Sequence, residues 1–282
     1  MTNPDVQDKD KTKEELLEEL EVQKWGLIKT NEAIKVLYKE LENKNKELKK
    51  LDDLKSEFIN TVSHELRTPL TTIREVVSQI LEGILGPTTP DQKEFLAICL
   101  QDVDRLKRII DNLLDISKLE AGKVELKRAE IDIVALAKGV MAIFSPKAVS
   151  LNLEFKGDFP SEKAIAYADK DNIIQVFTNL IGNAFKFCEK GYIQIGVADK
   201  PEHVECCVYD TGKGMSEEDL PKVFGKFQQF NRADGPGEKG TGLGLSISKN
   251  IVELHNGKIW VESQLNAWTR FIFTLPKHNQ EV

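Results

Sequence analysis

Near Lys123 the spacing of apolar residues changes from a helical rhythm to a strand rhythm, which divides the chain into two kinds of structure. Before that point Leu20, Leu27, Ile34, Leu41 and Leu48 recur at every seventh position, with Leu16, Leu37 and Leu51 on the companion positions of the same heptads. Gln23, Thr30 and Lys44 fill the other companion positions, so the spacing predicts a coiled coil with a seam weakened by polar residues. Thr12, Lys13, Glu14 and Glu15 form a candidate capping box at its start. At Leu54, Phe58, Val62, Leu66 and Leu70 the step becomes four, a shift that locally unwinds a left-handed supercoil. The stripe continues through Ile73, Val77, Ile80 and Ile84, then breaks across Gly86, Pro87, Thr88, Thr89 and Pro90. A second helix carries Leu96, Cys99, Val103, Leu106, Ile110 and Leu113 and ends near Ala121 and Gly122. Two such helices cannot bury both stripes alone. Pairing two hairpins into a four-helix bundle does so, and a homodimer is expected.

From Lys123 onward, strand-like runs fall at Val124–Ala129, Leu151–Phe155, Ala164–Ala168, Tyr192–Ala198, Val204–Tyr209, Lys258–Glu262 and Thr269–Leu275. Helical patterns lie between them at Ile131–Ala148, Lys170–Cys188 and Leu243–Leu254. The alternation predicts an α/β sandwich with helices over one side of a mixed sheet. The domains expected are thus a polar tail and coiled-coil helix (1–50), a helical hairpin (51–121) and the sandwich (122–282).

Composition excludes some functions. The formal net charge of −7 argues against non-specific binding to nucleic acid or to an anionic membrane surface. No apolar run reaches the roughly 18 residues of a spanning helix, and Met1–Asp10 is too polar for a signal peptide. Cys99, Cys188, Cys206 and Cys207 lack the spacing of a zinc site, and read as reduced core thiols in a cytoplasmic protein. Cys206 and Cys207 should point to opposite faces of one strand.

Chemistry is concentrated at a few places. In Ser63–Leu70, His64 lies about 200° around the helix from both Val62 and Leu66, on the wet face, where an imidazole is free to react. Thr68 follows one turn later on the same face, and Pro69 should bend or loosen the helix just past His64. Downstream, Asn179 and Asn183 share a helix face with Lys186 a turn beyond; amide oxygens suit Mg²⁺ when phosphates supply the charge. Asp210, Thr211, Gly212, Lys213 and Gly214 follow a strand directly, placing a carboxylate where an exocyclic amine such as that of adenine could donate to it. Gly240, Thr241, Gly242, Leu243 and Gly244 open a helix, and backbone amides there form an anion site without the Walker pattern. Between the two turns lie Phe224–Phe227 and a polar, glycine-containing stretch to Lys239, a composition suited to a lid. Each motif alone is weak; a lone surface histidine or a pair of helical asparagines is ordinarily just solvated. Their order is much more specific.

Taken together the motifs resemble those of the sensor histidine kinases of two-component systems. Ser63–Leu70 resembles the phosphoacceptor H box, Asn179–Lys186 the N box, Asp210–Gly214 the G1 box, Phe224–Phe227 the F box and Gly240–Gly244 the G2 box, across about residues 51 to 277. The resemblance implies a dimerisation and histidine-phosphotransfer hairpin that forms a four-helix bundle, followed by a Bergerat-type ATP-binding α/β sandwich. It implies His64 as phosphoacceptor, Glu65 as general base and Thr68 as a residue for dephosphorylation of a response regulator. It implies ATP and Mg²⁺, with Asn183 and Asn179 toward the metal. Lys186, Phe187, Asp210, Gly212, Gly214, Lys226, Phe227, Gly240, Thr241, Gly242, Leu243 and Gly244 would then surround the nucleotide. Phe187 stands where the family often has tyrosine, Gln229 where it often has arginine, and Asn266, Ala267 and Trp268 replace a glycine-rich turn. Lys226 or Arg232 would then have to serve the γ-phosphate.

The activity implied is ATP-dependent autophosphorylation and transfer to an aspartate of a response regulator. Two other readings remain at this point: a protein that acts mainly as a response-regulator phosphatase, and a non-phosphorylating nucleotide switch or scaffold of the gyrase and chaperone ATPase superfamily. About fifty residues before the H box are too few for a sensory domain. Either an upstream partner acts through the coil, or the chain is the kinase core of something longer.

Overall fold

A computed structural model describes residues 12–120, 126–228 and 241–278. Helix α1 runs from Lys13 to Leu81, and the chain divides at Glu57 and Phe58 into two units. In the first unit the capping box forms reciprocally. The Thr12 amide donates to Glu15 Oε2 at 2.8 Å, and the Glu15 amide donates to Thr12 Oγ1 at 3.4 Å. Leu20, Leu27, Ile34, Leu41 and Leu48 are all exposed along this single helix, as an unpaired coiled-coil seam must be.

In the second unit the rest of α1 packs against α2, Pro90–Glu120. A second capping box, not anticipated, starts α2. Thr89 and Gln92 exchange hydrogen bonds of 2.9 and 3.2 Å, and Pro90 takes the first helical position, where a missing N–H costs nothing. The hairpin register is set by two ion pairs, Arg67–Asp111 and Arg74–Asp104, each 2.7 Å. Both partners step by seven residues in opposite directions, which brings Leu114 level with His64.

Pro69 lies inside α1 without interrupting it: hydroxyls of Thr68, Thr71 and Thr72 donate back to the carbonyls of His64, Arg67 and Thr68, and the helix continues to Leu81. The apolar stripe is only partly covered. Leu70 is buried, as is Ser63, and Val62, Val77 and Ile80 are half-buried, whereas Phe58, Leu66, Ile73 and the neighbouring Val76 remain exposed, as do Phe95, Ile98 and Leu106 on α2. The larger exposed side chains are left for another surface.

The remainder is the α/β sandwich: β1 (Arg128–Asp132), α3 (Ile133–Ser150), β2 (Glu154–Asp158), β3 (Ile165–Asp169), α4 (Lys170–Phe187), β4 (Tyr192–Asp199), β5 (His203–Asp210), α5 (Gly244–Leu254), β6 (Ile259–Gln264) and β7 (Trp268–Pro276). Strands β2-β4-β5-β7-β6 form a mixed five-stranded sheet in which only β2 and β4 are parallel, and β1 pairs with β3 apart from it. The first strand therefore begins at Arg128, later than its apolar run suggested, because it pairs with β3 through Arg128–Asp132.

Alternation sorts the sheet. Ile193, Ile195, Val204, Cys206, Val208, Phe271 and Phe273 face α3, α4 and α5, and Phe177 of α4 meets Phe273 edge-to-face at 5.2 Å. Cys207 turns to the open face as expected, but Cys99 is exposed on α2 and is not a core thiol. Helix α3 is long and apolar enough to cross a bilayer by composition alone, yet Ile133, Val134, Leu136, Ala137, Val140 and Ala148 are buried against the sandwich. That is the pattern of a core helix.

Candidate functional site

Helices α4 and α5 carry the two motifs that meet most directly. Asp169 caps α4, accepting from the amides of Asp171 and Asn172 at 3.0 and 3.2 Å. From this anchored start Asn179, Asn183 and Lys186 follow on one face. Asn179 Nδ2 donates to the Gly244 carbonyl at 3.2 Å and to Ser248 Oγ at 3.3 Å, so its amide nitrogen ties α4 to the opening turn of α5. Asn183 follows one turn later and is half-buried. Among the described residues no group of three or more His, Cys, Asp and Glu could hold a metal. The donor set here fits a hard cation held by one amide oxygen, with ligand phosphates and water supplying the rest.

Asp210 ends β5, where it pairs with Ile193 on one side and Thr269 on the other and is 3% exposed. It accepts from the Gly212 amide at 2.9 Å. Burial pushes its carboxyl up to about 6, against the opposing pull of that hydrogen bond. The next turn is fastened on two sides. The Lys213 amide donates to the Phe187 carbonyl at 3.3 Å, and the Asn266 amide donates to the Lys213 carbonyl at 2.6 Å. Gly214 has φ +63°, and a Cβ there would collide with the Gln264 carbonyl oxygen, so glycine is required. Asn266 itself has φ +59°, the left-handed conformation that asparagine tolerates, which lets it do the work of the absent glycine-rich turn.

Phe187 keeps the ring expected of it, with the ammonium groups of Lys186 and Lys213 at 5.0 and 4.8 Å from its centre. Lys213 was not singled out from the sequence, although its place inside the acid-glycine turn could have drawn attention to it.

After the short turn Leu220–Lys222, Phe224 packs edge-to-face on Phe271 at 6.2 Å, whereas Phe227 is turned outward with φ +60° and is 63% exposed. Lys226 is exposed beside it. Gly242, with φ +71°, sits so close that a Cβ would press on the backbone of Phe227 and Gln228 at 2.8 and 2.9 Å. The start of the lid and the glycine turn are therefore in contact. The Leu243 side chain is 1% exposed inside the core and its amide donates to Thr241 Oγ1 at 3.2 Å, so it shapes the turn. Gly244 begins α5, whose first amides have no intrahelical acceptor. Gly240, Gln229 and Arg232 lie outside the described residues.

His64, Glu65 and Thr68 stand together on α1, all exposed, with the Thr68 hydroxyl donating to the His64 carbonyl at 3.4 Å. The sandwich meets the hairpin through α2. Asn112 Nδ2 donates to Thr241 Oγ1 at 3.1 Å, Gln175 Nε2 donates to Asp115 Oδ2 at 2.7 Å, and Ile116 joins the core of the sandwich. These three contacts flank Leu114, at the height of His64.

Comparison with known proteins agrees with this geometry. Residues 54–122 match the family described as His Kinase A (phospho-acceptor) domain, and residues 168–279 match the Histidine kinase-, DNA gyrase B-, and HSP90-like ATPase family. The sensor protein SrrB of Staphylococcus aureus is 37% identical over 230 residues, 80% of this chain and 39% of SrrB, so the chain spans about two fifths of that relative. Full-length ShkA in complex with AMPPNP shares the fold with a TM-score of 0.67 at 28% identity, over 78% of this chain and 45% of ShkA. Histidine kinase ThkA in complex with response regulator protein TrrA gives a TM-score of 0.56 at 30% identity, over 79% of this chain and 61% of ThkA. A phospho-acceptor hairpin joined to this ATPase sandwich makes the chain a member of the sensor histidine kinases.

Proposed function

We propose that the chain is an ATP-dependent protein-histidine kinase that phosphorylates His64 and passes the phosphoryl group to an aspartate of a response regulator. The observation that carries this is the pairing of an exposed imidazole on α1 with a sandwich that holds a buried Asp210 at the end of β5 and a glycine turn at the start of α5. Asp210 would accept from the adenine amine, and the amides of the α5 opening would hold phosphate oxygens. Asn183 would hold Mg²⁺, with Asn179 fixing the helix from which it reaches. When bound, Mg²⁺ supplies charge neutralisation at the phosphates. In the transfer, the bond between the γ-phosphorus and its bridging oxygen breaks as a bond from a His64 ring nitrogen forms. ADP leaves with the electron pair, and Glu65 takes the proton released by the ring. The sandwich rests on α2 while the acceptor stands on α1, so transfer requires it to move; the linker expected near residues 119–123 lies mostly outside the described residues.

The exposed apolar residues Leu66, Ile73 and Val76 of α1 and Phe95, Ile98 and Leu106 of α2 support a homodimer through a four-helix bundle. ThkA in complex with TrrA supports a receiver domain as partner, and the open coil seam suits a second chain or an upstream sensory partner. Thr68, exposed one turn from His64, favours dephosphorylation of the regulator as a second activity of the same helix.

The test is labelling with γ-labelled ATP. Acid-labile, alkali-stable label on the wild-type chain that disappears in His64→Gln is expected. Label that persists in His64→Gln removes the assignment of the acceptor, and ATP binding with no label in the wild type points to a nucleotide switch.

A further inference from the structure

One hydroxyl in the glycine turn receives two hydrogen bonds from opposite directions. Thr241 Oγ1 accepts from the Leu243 amide of its own turn at 3.2 Å and from Asn112 Nδ2 at 3.1 Å, across 129 residues of sequence. A hydroxyl oxygen has two lone pairs and one proton. With both lone pairs engaged, Thr241 has only its own proton left to give. The donor on α2 is held in place by its surroundings: Asp115, three residues on, accepts from Gln175 of α4 at 2.7 Å, and Ile116 is 5% exposed within the core of the sandwich. Helix α2 thus touches both the glycine turn and the helix that carries Asn179 and Asn183.

We propose that Asn112 is a positioning residue for the triphosphate. By filling the second acceptor site of Thr241, it commits that hydroxyl's proton to a phosphate oxygen of the nucleotide. The proposal rests on the nucleotide site described above and gives the hairpin a part in it. Coupling between two binding events is reciprocal, so a bound triphosphate in turn strengthens the hold of the sandwich on α2. The hairpin and the phosphates then meet at a single oxygen atom.

The experiment is calorimetric binding of a non-hydrolysable ATP analogue, and separately of adenosine, to the full chain. Asn112→Ala should weaken the analogue about three- to tenfold and leave adenosine within about twofold, because the lost hydrogen bond orients a donor to phosphate and not to the base. Asn112→Asp should weaken the analogue more than Asn112→Ala does, since a carboxylate accepts the Thr241 proton and turns it away. In a Thr241→Ala background Asn112→Ala should have no further effect. Equal weakening of both ligands would reveal a merely structural role and overturn the proposal. So would tighter binding of the analogue by Asn112→Asp, or unchanged binding in both variants. A wild-type chain that binds adenosine but not the analogue also overturns it, while one that binds neither removes the nucleotide site itself.

Discussion

His255 Nε2 accepts the backbone amide of Asp169 at 2.9 Å, which assigns the ring proton to Nδ1, 2.7 Å from the Ile251 carbonyl. This ring links the end of α5 to the residue that caps α4, and it is 1% exposed. Gly244, at the other end of α5, is joined to Asn179 in the middle of α4, so the helices that carry the N-box and glycine-turn motifs are tied at two points.

Burial holds the His255 imidazole below the usual histidine range. The Arg128 charge adds to this, while the Ile251 carbonyl and Asp169 act against it. A folded-state pKa below the unfolded value means that the unfolded chain binds more protons as pH falls through about 6.5. Stability contributed by neutral His255 is therefore present at pH 7 and above and is lost as the solution is acidified. In thermal melts the Tm advantage of the wild type over His255→Gln should be greatest at pH 7.5 and shrink as the solution is acidified to pH 5.5.

Asp210 acts in the other direction. Its carboxyl is raised to about 6, so the folded state favours the proton, and stability from this group is lost as pH rises through 6. Asp210→Asn should therefore raise the Tm of the nucleotide-free protein at pH 7.5, by on the order of 2 kcal/mol in stability. The same variant should bind adenine nucleotides at least tenfold more weakly, measured by calorimetry. A variant that gains neither stability nor loses affinity would separate Asp210 from adenine recognition.

Gly214→Ala should disable the site through the backbone. The left-handed φ of +63° and the nearby Gln264 carbonyl leave no space for a methyl group. A loss of about 2 kcal/mol or more is expected in urea denaturation, with strongly reduced nucleotide binding at temperatures where the variant is folded.

Phe177→Ala tests the sandwich core. Phe177 is fully buried and meets Phe273 edge-to-face, so its removal should cost about 3–5 kcal/mol in chemical denaturation. Because the first unit of the chain does not share this core, its helical signal by circular dichroism should outlast the loss.

Local chemistry made much of this protein legible. Thr12 and Glu15 cap a helix because their side chains reach only their own first turn, and β4, β5 and β7 follow alternation that any half-buried strand must show. Asp210, Gly214 and Gly244 could be picked out because tight turns and helix starts demand particular residue types over a few positions. Where two chains or distant segments compete for a surface, the string of residues was a poorer guide. Of the apolar stripe only Leu70 is buried, beside a serine, Ser63, that apolar spacing passes over, while Phe58, Leu66 and Ile73 stay exposed. Hydrophobic spacing shows that a face wants covering and does not name the surface that covers it.

The sequence by itself determined which helices and strands form and where the motifs of the ATPase domain fall along them, since helix period, strand alternation, capping and glycine turns act over a few residues. Only the tertiary structure decided that Leu243 faces the core, that Lys213 joins Lys186 over Phe187, and that Asn112 reaches Thr241. These are contacts between segments far apart in the chain, and their geometry depends on how whole elements pack, which no local spacing encodes.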